Sequence, residues 1–97
     1  MPWDEIYVWT DETYERLARR GLSWQLVLSL LRYGWPLERR DVQHGWTVIV
    51  GQSSNGRWLM VLIGVETPEG ERPILDAREL TDESEVAEAK RRIGGLQ

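Results

Sequence analysis

Hydrophobic and polar positions change their spacing along the chain, and these changes predict helices first, then strands, then a last helix. The first helix is expected over residues 11–20, because Thr10 is a favoured N-cap, the first turn is acidic and Gly21 follows the last turn. Similar start and stop signals at Ser23 and Gly34 bound a second helix. The N-terminal third of the chain is therefore predicted to form two helices.

The second predicted helix holds more apolar residues than a single narrow stripe. They are Trp24, Leu26, Val27, Leu28, Leu30 and Leu31. A helix that is apolar around most of its surface is covered on several sides, so we expect this helix to anchor the core. Of the six tryptophans, we assign Trp24, Trp46 and Trp58 to the core as large apolar residues within regular elements. The sequence pattern does not place Trp3, Trp9 and Trp35.

From Leu37 onward the pattern is that of short strands separated by turn residues. The predicted strands cover residues 40–43, 46–50, 57–65 and 72–79, with turns at His44-Gly45, Asn55-Gly56 and Pro68-Glu69-Gly70. Asn55-Gly56 is the strongest of these signals, because both positions of a two-residue hairpin turn need positive φ. Successive hairpins of this kind predict an antiparallel meander.

Thr81 is predicted to cap a last helix whose first turn is acidic, whose last turn is basic and which ends at Gly94-Gly95. The order of elements predicts an α+β domain with two N-terminal helices, an antiparallel meander of three to four strands and a C-terminal helix. A length of 97 residues fits one domain over residues 1–97, with residues 1–9 and 94–97 left as irregular ends.

Composition narrows the classes of function open to such a domain. Cysteine is absent and histidine occurs once, as His44, so disulfides, thiolate chemistry and a dedicated transition-metal site are not expected, and no cofactor is predicted. No stretch approaches the roughly 20 apolar residues of a membrane span, and the acidic start MPWDEIYVW does not resemble a secretion signal. These features predict a soluble, cytoplasmic protein that makes no membrane contact.

The net charge of −4 conceals a separation of charge along the chain. Residues 16–40 hold six arginines and one glutamate, a net charge of +5, whereas residues 66–88 hold two arginines and nine acidic residues, a net charge of −7. A basic segment favours an anionic partner such as RNA. Arg39 and Arg40, within this segment, are therefore candidate RNA-binding residues.

Two further arginines, Arg57 and Arg78, interrupt the apolar strands. A guanidinium group at a sheet position is either paired with a carboxylate or bound to another anion, since removing its water without compensation costs several kcal/mol. Internal partners for either arginine would be Asp76, Glu79 or Asp41. The alternative is a phosphate clamp, which suits the planar fork of arginine.

Three segments, YVWTDETYERLARRGLSWQLV, IVGQSSNGRWLMVLI and PILDARELT, resemble BrnT-like toxins and related RelE-superfamily domains of bacterial toxin–antitoxin modules in their order and spacing. The resemblance spans residues 7–85 of this sequence. It implies a RelE-like fold and a small, metal-independent ribonuclease that blocks translation by cutting RNA. It also implies a partner, the DNA-binding antitoxin that is encoded beside the toxin and holds it inactive.

The motifs of the family fall on four arginines of this sequence. Its lysine-histidine pair falls on Arg19 and Arg20, its hairpin arginine on Arg57 and its strand-end arginine on Arg78. The resemblance thus implies that Arg57 and Arg78 stabilise the phosphate, while Arg19 and Arg20 extend the RNA-binding surface. The replacement of the family's lysine-histidine pair by Arg19 and Arg20 is a departure from the family, because arginine rarely gives up its proton near neutral pH.

A ribonuclease of this kind needs a general base and a general acid in addition to cations. His44 can transfer a proton if its hairpin brings it over the sheet face, and Glu79 or Asp41 can act as the base. The other interpretation of His44 is an exposed turn residue.

Three functions remain open at this stage. The first is an RNA-cleaving toxin with Arg57, Arg78, His44 and Glu79 as catalytic residues. The second is a binding module of the same fold without catalysis, in which these arginines are structural and the basic segment docks a protein or RNA. The third is a homodimer or larger homo-oligomer that buries one apolar face of residues 58–63 between subunits. Helices on both faces of the sheet would cover these residues equally well.

Overall fold

The computed structural model describes residues 6–95, which form a five-stranded sheet with helices on both faces. The elements in chain order are β1 (Ile6–Val8), α1 (Asp11–Arg19), α2 (Trp24–Tyr33), β2 (Leu37–Asp41), β3 (Thr47–Gln52), β4 (Trp58–Ile63), β5 (Glu71–Glu79) and α3 (Glu83–Gly95). The order of strands across the sheet is β1-β5-β4-β3-β2. The predicted α+β class, with two N-terminal helices, a meander and a C-terminal helix, is confirmed.

Strands β2 to β5 form the predicted antiparallel meander, with four strands. The fifth strand, β1, lies in a segment that the sequence pattern leaves as an irregular end. Ile6–Val8 pair in parallel with residues 71–73 of β5. Such a short strand shows no readable alternation, and its partner comes from the far end of the meander. The remaining predicted end residues, 1–5 with Trp3 and 96–97, lie outside the described residues.

The N-caps predicted for α1 and α2 are present, but α3 begins differently. Asp82, not Thr81, accepts a hydrogen bond from the backbone N–H of Ser84 at 2.8 Å. The reason lies in the preceding strand, because the Leu80 N–H still donates to the Trp58 carbonyl oxygen at 2.8 Å. The chain therefore leaves the sheet later than predicted, and the first residue able to cap the helix is Asp82.

The hairpin between β3 and β4 is confirmed, but its turn is longer than predicted. Gln52 pairs with Trp58, so residues 53–57 form the loop. Within the predicted Asn55-Gly56 pair, only Gly56 has a positive φ, at 87°. The side chain of Asn55 instead accepts a hydrogen bond from the Arg57 backbone N–H at 3.3 Å. A glycine in the left-handed region after a normal turn is the common alternative to a two-residue turn.

The sheet separates two cores. On the front face, which α1 and α2 cover, the buried residues are Leu17, Leu22, Val27, Leu30, Ile49, Leu59, Val61, Ile63, Ile74 and Ala77. On the back face, which α3 covers, they are Val50, Trp58, Leu80, Ala89 and Ile93. Successive residues of β4 contribute alternately to the two cores, as the pleat requires. Helices of the same chain therefore cover both apolar faces of β4.

The apolar side chains of α2 are less completely buried than the sequence predicts. Val27 and Leu30 are fully buried, whereas Leu28 and Leu31 are half-buried. Trp24 is 40% exposed, so its assignment to the core is wrong, while the assignment of Trp58 is confirmed. Leu31 packs against the edge of the front core and, like Leu28, keeps part of its surface exposed among residues 6–95.

Candidate functional site

Arg57, a predicted phosphate-binding residue, forms an ion pair with a carboxylate. Its Nε and Nη2 atoms donate to the two carboxylate oxygens of Glu79 at 3.2 and 2.6 Å. These hydrogen bonds raise the pKa of Arg57 and lower the pKa of Glu79. A carboxylate with a lowered pKa is a weaker base, so the pairing opposes the predicted role of Glu79 as the general base.

Arg78 is paired in the same way with a residue of α3. Its Nη2 donates to Oε2 of Glu85 at 2.7 Å, and its Nη1 lies 3.4 Å from Oε1. Hydrogen bonding lowers the pKa of Glu85 and raises that of Arg78. Sequence reasoning proposed Asp76, Glu79 or Asp41 as internal partners, and it missed Glu85. This glutamate reaches the strand only because α3 packs across the back face.

Arg57 and Arg78 lie on opposite faces of the sheet. Glu79 pairs with Leu59 of the front core, and Arg78 pairs with Met60, which packs against the back core. Side chains directly opposite each other in antiparallel strands share a face. Arg57, which is bound to Glu79, is therefore on the front and Arg78 on the back. In this arrangement one phosphate group cannot contact both arginines.

His44 lies at the other end of the sheet from Arg57. It has a left-handed φ of 67° and sits in the turn before β3, with its ring 5.4 Å from that of the half-buried Trp46. Arg57 follows β3, a strand about 17 Å long at 3.4 Å per residue. Asp41, the alternative base, is on the side of His44 and accepts a hydrogen bond from the Thr47 hydroxyl at 2.9 Å. The structure does not bring these groups to the paired arginines.

The four arginines predicted to bind RNA do not form one surface. At the end of α1, Arg19 pairs with Glu15 at 3.7 Å and Arg20 with Asp76 at 3.0 Å. On β2, Arg39 lies opposite Ile49 of the front core and Arg40 opposite Val48 of the back core. Acidic residues from outside the basic segment thus offset part of its charge, and the rest is divided between two faces.

A groove of about 700 Å³ opens on the front face beside α2. Residues of and next to β1, α2, β2 and β3 line it: Ile6, Tyr7, Trp9, Leu28, Leu31, Arg32, Tyr33, Leu37, Arg39 and Ile49. Leu28, Leu31 and Arg32 share one side of α2, because residues three and four positions apart are neighbours on a helix surface. We call this concavity the α2 groove. Its size and apolar lining are typical of binding sites.

The α2 groove is apolar at its base, and aromatic and basic at its rim. At the base, Ile49 is 3% exposed, whereas Tyr33 at the rim is 74% exposed. Trp35, which follows α2, is 73% exposed. Arg32 is exposed and, within residues 6–95, takes part in no ion pair. Exposed aromatic side chains beside arginine are typical of surfaces that bind partners.

Sequence reasoning missed the α2 groove, although one signal for it was present. The second helix has more apolar residues than one face can hold, and we expected intramolecular contacts to cover it on most sides. Part of that apolar surface instead forms one wall of the groove. The opposite wall comes from β1, which the sequence pattern does not distinguish from an irregular end.

Comparisons with known proteins leave the function of the site to be argued from its geometry. No protein-family model, curated protein or solved structure gave a significant match. The resemblance to BrnT-like toxins and RelE-superfamily domains therefore remains a prediction. Within residues 6–95, no helix is long and apolar enough to cross a membrane, and no group of three or more His, Cys, Asp or Glu side chains is arranged to hold a metal ion.

Proposed function

We propose that this chain is a non-catalytic binding module that recognises a partner protein through the α2 groove. The observation that carries this proposal is the groove itself, a concavity of about 700 Å³ with an apolar base. Its rim exposes most of the Tyr33 side chain. An exposed apolar surface of this kind is a typical place for a partner to bind.

The lining of the α2 groove favours protein over RNA. Eight of its ten residues are uncharged and two are arginines. RNA binding draws much of its affinity from phosphate contacts, which need more cations than this. Protein interfaces, in contrast, combine an apolar centre with aromatic residues and arginine. The partner that fits this lining best is therefore a protein segment with apolar side chains.

The positions of the predicted catalytic residues support a function without catalysis. Arg57 and Arg78 each bind a carboxylate, on opposite faces of the sheet. His44 lies at the opposite end of β3 from Arg57. Cleavage of RNA would require such groups to surround a single phosphate, since misplacement by about 1 Å can already cost two orders of magnitude in rate. The ribonuclease activity, the cognate antitoxin and the homodimer remain predictions.

The proposal predicts that a partner protein is lost when the rim of the groove is changed. Immobilised wild-type protein, Tyr33→Glu and Val65→Glu would be exposed to an extract of cells that encode the chain, with ribonuclease A added to remove RNA. Val65 is a matched control, because it is 52% exposed and lies outside the α2 groove. We expect mass spectrometry to identify a protein that wild type and Val65→Glu retain and Tyr33→Glu does not.

Two results would contradict this function. One is retention of the same proteins by all three forms, which would mean that the groove is not used. The other is cleavage of a mixed-sequence RNA by the wild type in the presence of EDTA, falling at least about tenfold in Arg78→Ala, a loss of roughly 1.4 kcal/mol of transition-state stabilisation. That second result would establish the metal-independent ribonuclease that the family resemblance implies.

A further inference from the structure

One side of α2 carries a row of large side chains that extends past the lining of the α2 groove. The row consists of Trp24, Leu28, Leu31 and Arg32, which follow each other at helical spacing and therefore share one side of the helix. Trp24 is exposed, and the two leucines are half-buried. Because α2 holds 10 residues, this side is about 15 Å long. We call it the outer side of α2.

Aromatic side chains continue this surface at both ends of α2. At the N-terminal end, the ring of Trp24 lies 6.3 Å from that of Trp9, which lines the α2 groove. Trp9 in turn stacks on the partly exposed ring of Tyr14 at 6.1 Å. At the C-terminal end, Tyr33 and Trp35 are mostly exposed. The exposed apolar surface therefore runs along the whole of α2.

We infer that the partner segment is an amphipathic helix that packs antiparallel to α2, with its apolar face in the α2 groove and an acidic residue of its first turn beside Arg32. This inference rests on the proposed function and names the chemistry of the partner. An amphipathic helix in an apolar groove is one of the recurring modes of peptide recognition.

The shape of the outer side of α2 favours a helix. Trp24, Leu28 and Arg32 form a row at intervals of four residues, and a row of this kind packs into the grooves between the side chains of a second helix. A helix also satisfies its own backbone hydrogen bonds, so it covers an apolar surface without leaving buried N–H and C=O groups unpaired. Such a partner needs no free strand edge.

Arg32 sets the charge and the direction of the partner helix. Among the described residues, the lining of the α2 groove includes no carboxylate, and Arg39 already takes part in an interaction. Arg32 is exposed and forms no ion pair within residues 6–95, so a carboxylate of the partner can pair with it. Because Arg32 is in the last turn of α2, it lies beside the first turn of an antiparallel helix, where an acidic residue is also favoured by that helix's own dipole.

The same lining disfavours a second copy of this chain as the occupant. A two-fold packing of α2 on α2 would bring the same residues from both copies to the interface. Among residues 6–95, none of those that line the groove is acidic. The second copy would therefore add another Arg32 without a carboxylate for either.

The test uses three synthetic peptides of about 14 residues, since shorter isolated helices are marginal in water. The first has leucine at every third or fourth position, glutamate in its first turn, and alanine and glutamine elsewhere. The second has glutamine in place of that glutamate, and the third has proline in place of a central alanine. Binding to ¹⁵N-labelled full-length protein would be followed by NMR. We expect the first peptide to shift the signals of Trp24, Leu28 and Tyr33, and the proline peptide to bind at least about tenfold more weakly because proline breaks the helix.

A double-mutant cycle tests the contact with Arg32. We expect glutamine in place of the peptide's glutamate to weaken binding to the wild type about two- to fivefold, as for an exposed ion pair. The same exchange should have no effect on binding to Arg32→Gln, because the partner of the glutamate is then absent.

The extent of the surface is tested with Trp24→Ala, because Trp24 belongs to the outer side of α2 and not to the groove lining. We expect this variant to bind the first peptide at least about fivefold more weakly, while Val65→Glu binds as the wild type does. Circular dichroism would show that both variants are folded. If Trp24→Ala did not fold, the proline and glutamine peptides would decide the question on the wild-type protein.

Two results would replace the partner helix by a different occupant. Self-association of the wild type that Leu28→Lys removes would make a second copy the occupant. Binding of the first peptide to Trp3→Ala and not to the wild type would make the occupant the chain's own segment before Ile6. Either result would overturn the inference.

Failure of this inference can also be distinguished from failure of the proposed function. Equal binding of the proline peptide would overturn the helix, and equal effects of glutamine on the wild type and Arg32→Gln would overturn the acidic contact. If no peptide bound although Tyr33→Glu still lost a protein from the extract, the helix would be wrong and the groove would remain the site. If no peptide bound and no protein were retained through Tyr33, both proposals would be wrong.

Discussion

At the scale of single residues, the arginines in the strands are explained by carboxylates on neighbouring elements. Arg57 and Glu79 form a two-point hydrogen-bonded pair, and so do Arg78 and Glu85. Charge-assisted pairs of this geometry are stronger than neutral hydrogen bonds. They are also partly exposed, so water and salt weaken them. Their role in the fold is to let charged residues lie beside apolar strands.

The Arg57–Glu79 pair predicts a dependence of stability on pH. The pKa of Glu79 is lowered in the folded protein from its usual 4.5 by the hydrogen bonds from Arg57. Near that pH the unfolded state binds more protons, so the stability due to the pair is present above about pH 4.5 and is lost as the pH falls through the folded pKa. We expect the free energy of unfolding in urea to fall more steeply below about pH 5 in wild type than in Glu79→Gln.

Glu66→Gln serves as the control for that measurement, because Glu66 is exposed and forms no ion pair with any residue in the range 6–95. Its stability should follow the wild-type curve. Parallel curves for wild type and Glu79→Gln would show that the pair contributes nothing to folding.

At the scale of elements, α2 has two different apolar sides. One side carries Val27 and Leu30 into the front core, where both are fully buried. The other carries Leu28 and Leu31, which are half-buried and line the α2 groove. One helix therefore anchors the fold through its buried side and forms a wall of the α2 groove with its half-buried side.

Two adjacent leucines of α2 should therefore differ in their contribution to stability. We expect Leu30→Ala to lower the free energy of unfolding by about 2–5 kcal/mol, as is usual for a buried leucine that leaves a cavity. Leu31→Ala should cost roughly half of that or less, because its side chain is already partly in water. Urea denaturation of both variants measures the difference. Equal losses would mean that the groove side of α2 is buried in solution.

At the scale of the whole molecule, helices cover both faces of the sheet, and β2 is the edge strand of the meander among residues 6–95. Front and back cores are closed by helices of the same chain, so the apolar strands do not require a second subunit. β2 carries four charged residues, and charged side chains on an edge strand disfavour edge-to-edge association. The molecule thus needs no second copy to cover its cores, and the α2 groove is the site that we propose for a different partner.

This arrangement predicts a monomer in the absence of that partner. Light scattering during size-exclusion chromatography should give a mass near 11.3 kDa. A mass twice as large would support the homodimer that the sequence left open. If Arg39→Pro were then monomeric, the outer edge of β2 would be the interface between copies.

Most of the correct predictions of the fold come from sequence signals between residues that are close together in the chain. Thr10 and Ser23 cap α1 and α2 as expected, because a cap depends on residues within one turn. β1 was missed because three residues carry too little pattern and pair with a strand from the far end of the chain. The cap at Asp82 was missed because it depends on how far the preceding strand stays paired.

The functional site could be predicted only in part. The sequence indicated that Arg57 and Arg78 need anionic partners, because that need belongs to the side chain itself. Glu79 was among the candidate partners and is the partner of Arg57, whereas Glu85, the partner of Arg78, was missed because it is brought to the strand by the packing of α3. The α2 groove was not predicted at all, because it forms where β1, α2 and β2 fail to fill the space between them.

The sequence by itself determined the order of the three helices and of the strands of the meander, the hairpins between those strands and the presence of charged residues that had to be neutralised. These follow from interactions between residues close together in the chain. Only the tertiary structure decided the face on which Arg57 and Arg78 lie, the position of His44 relative to Arg57 and the presence of the α2 groove. Strand register and helix packing bring distant residues together, and a shift of one residue in a strand would exchange its two faces.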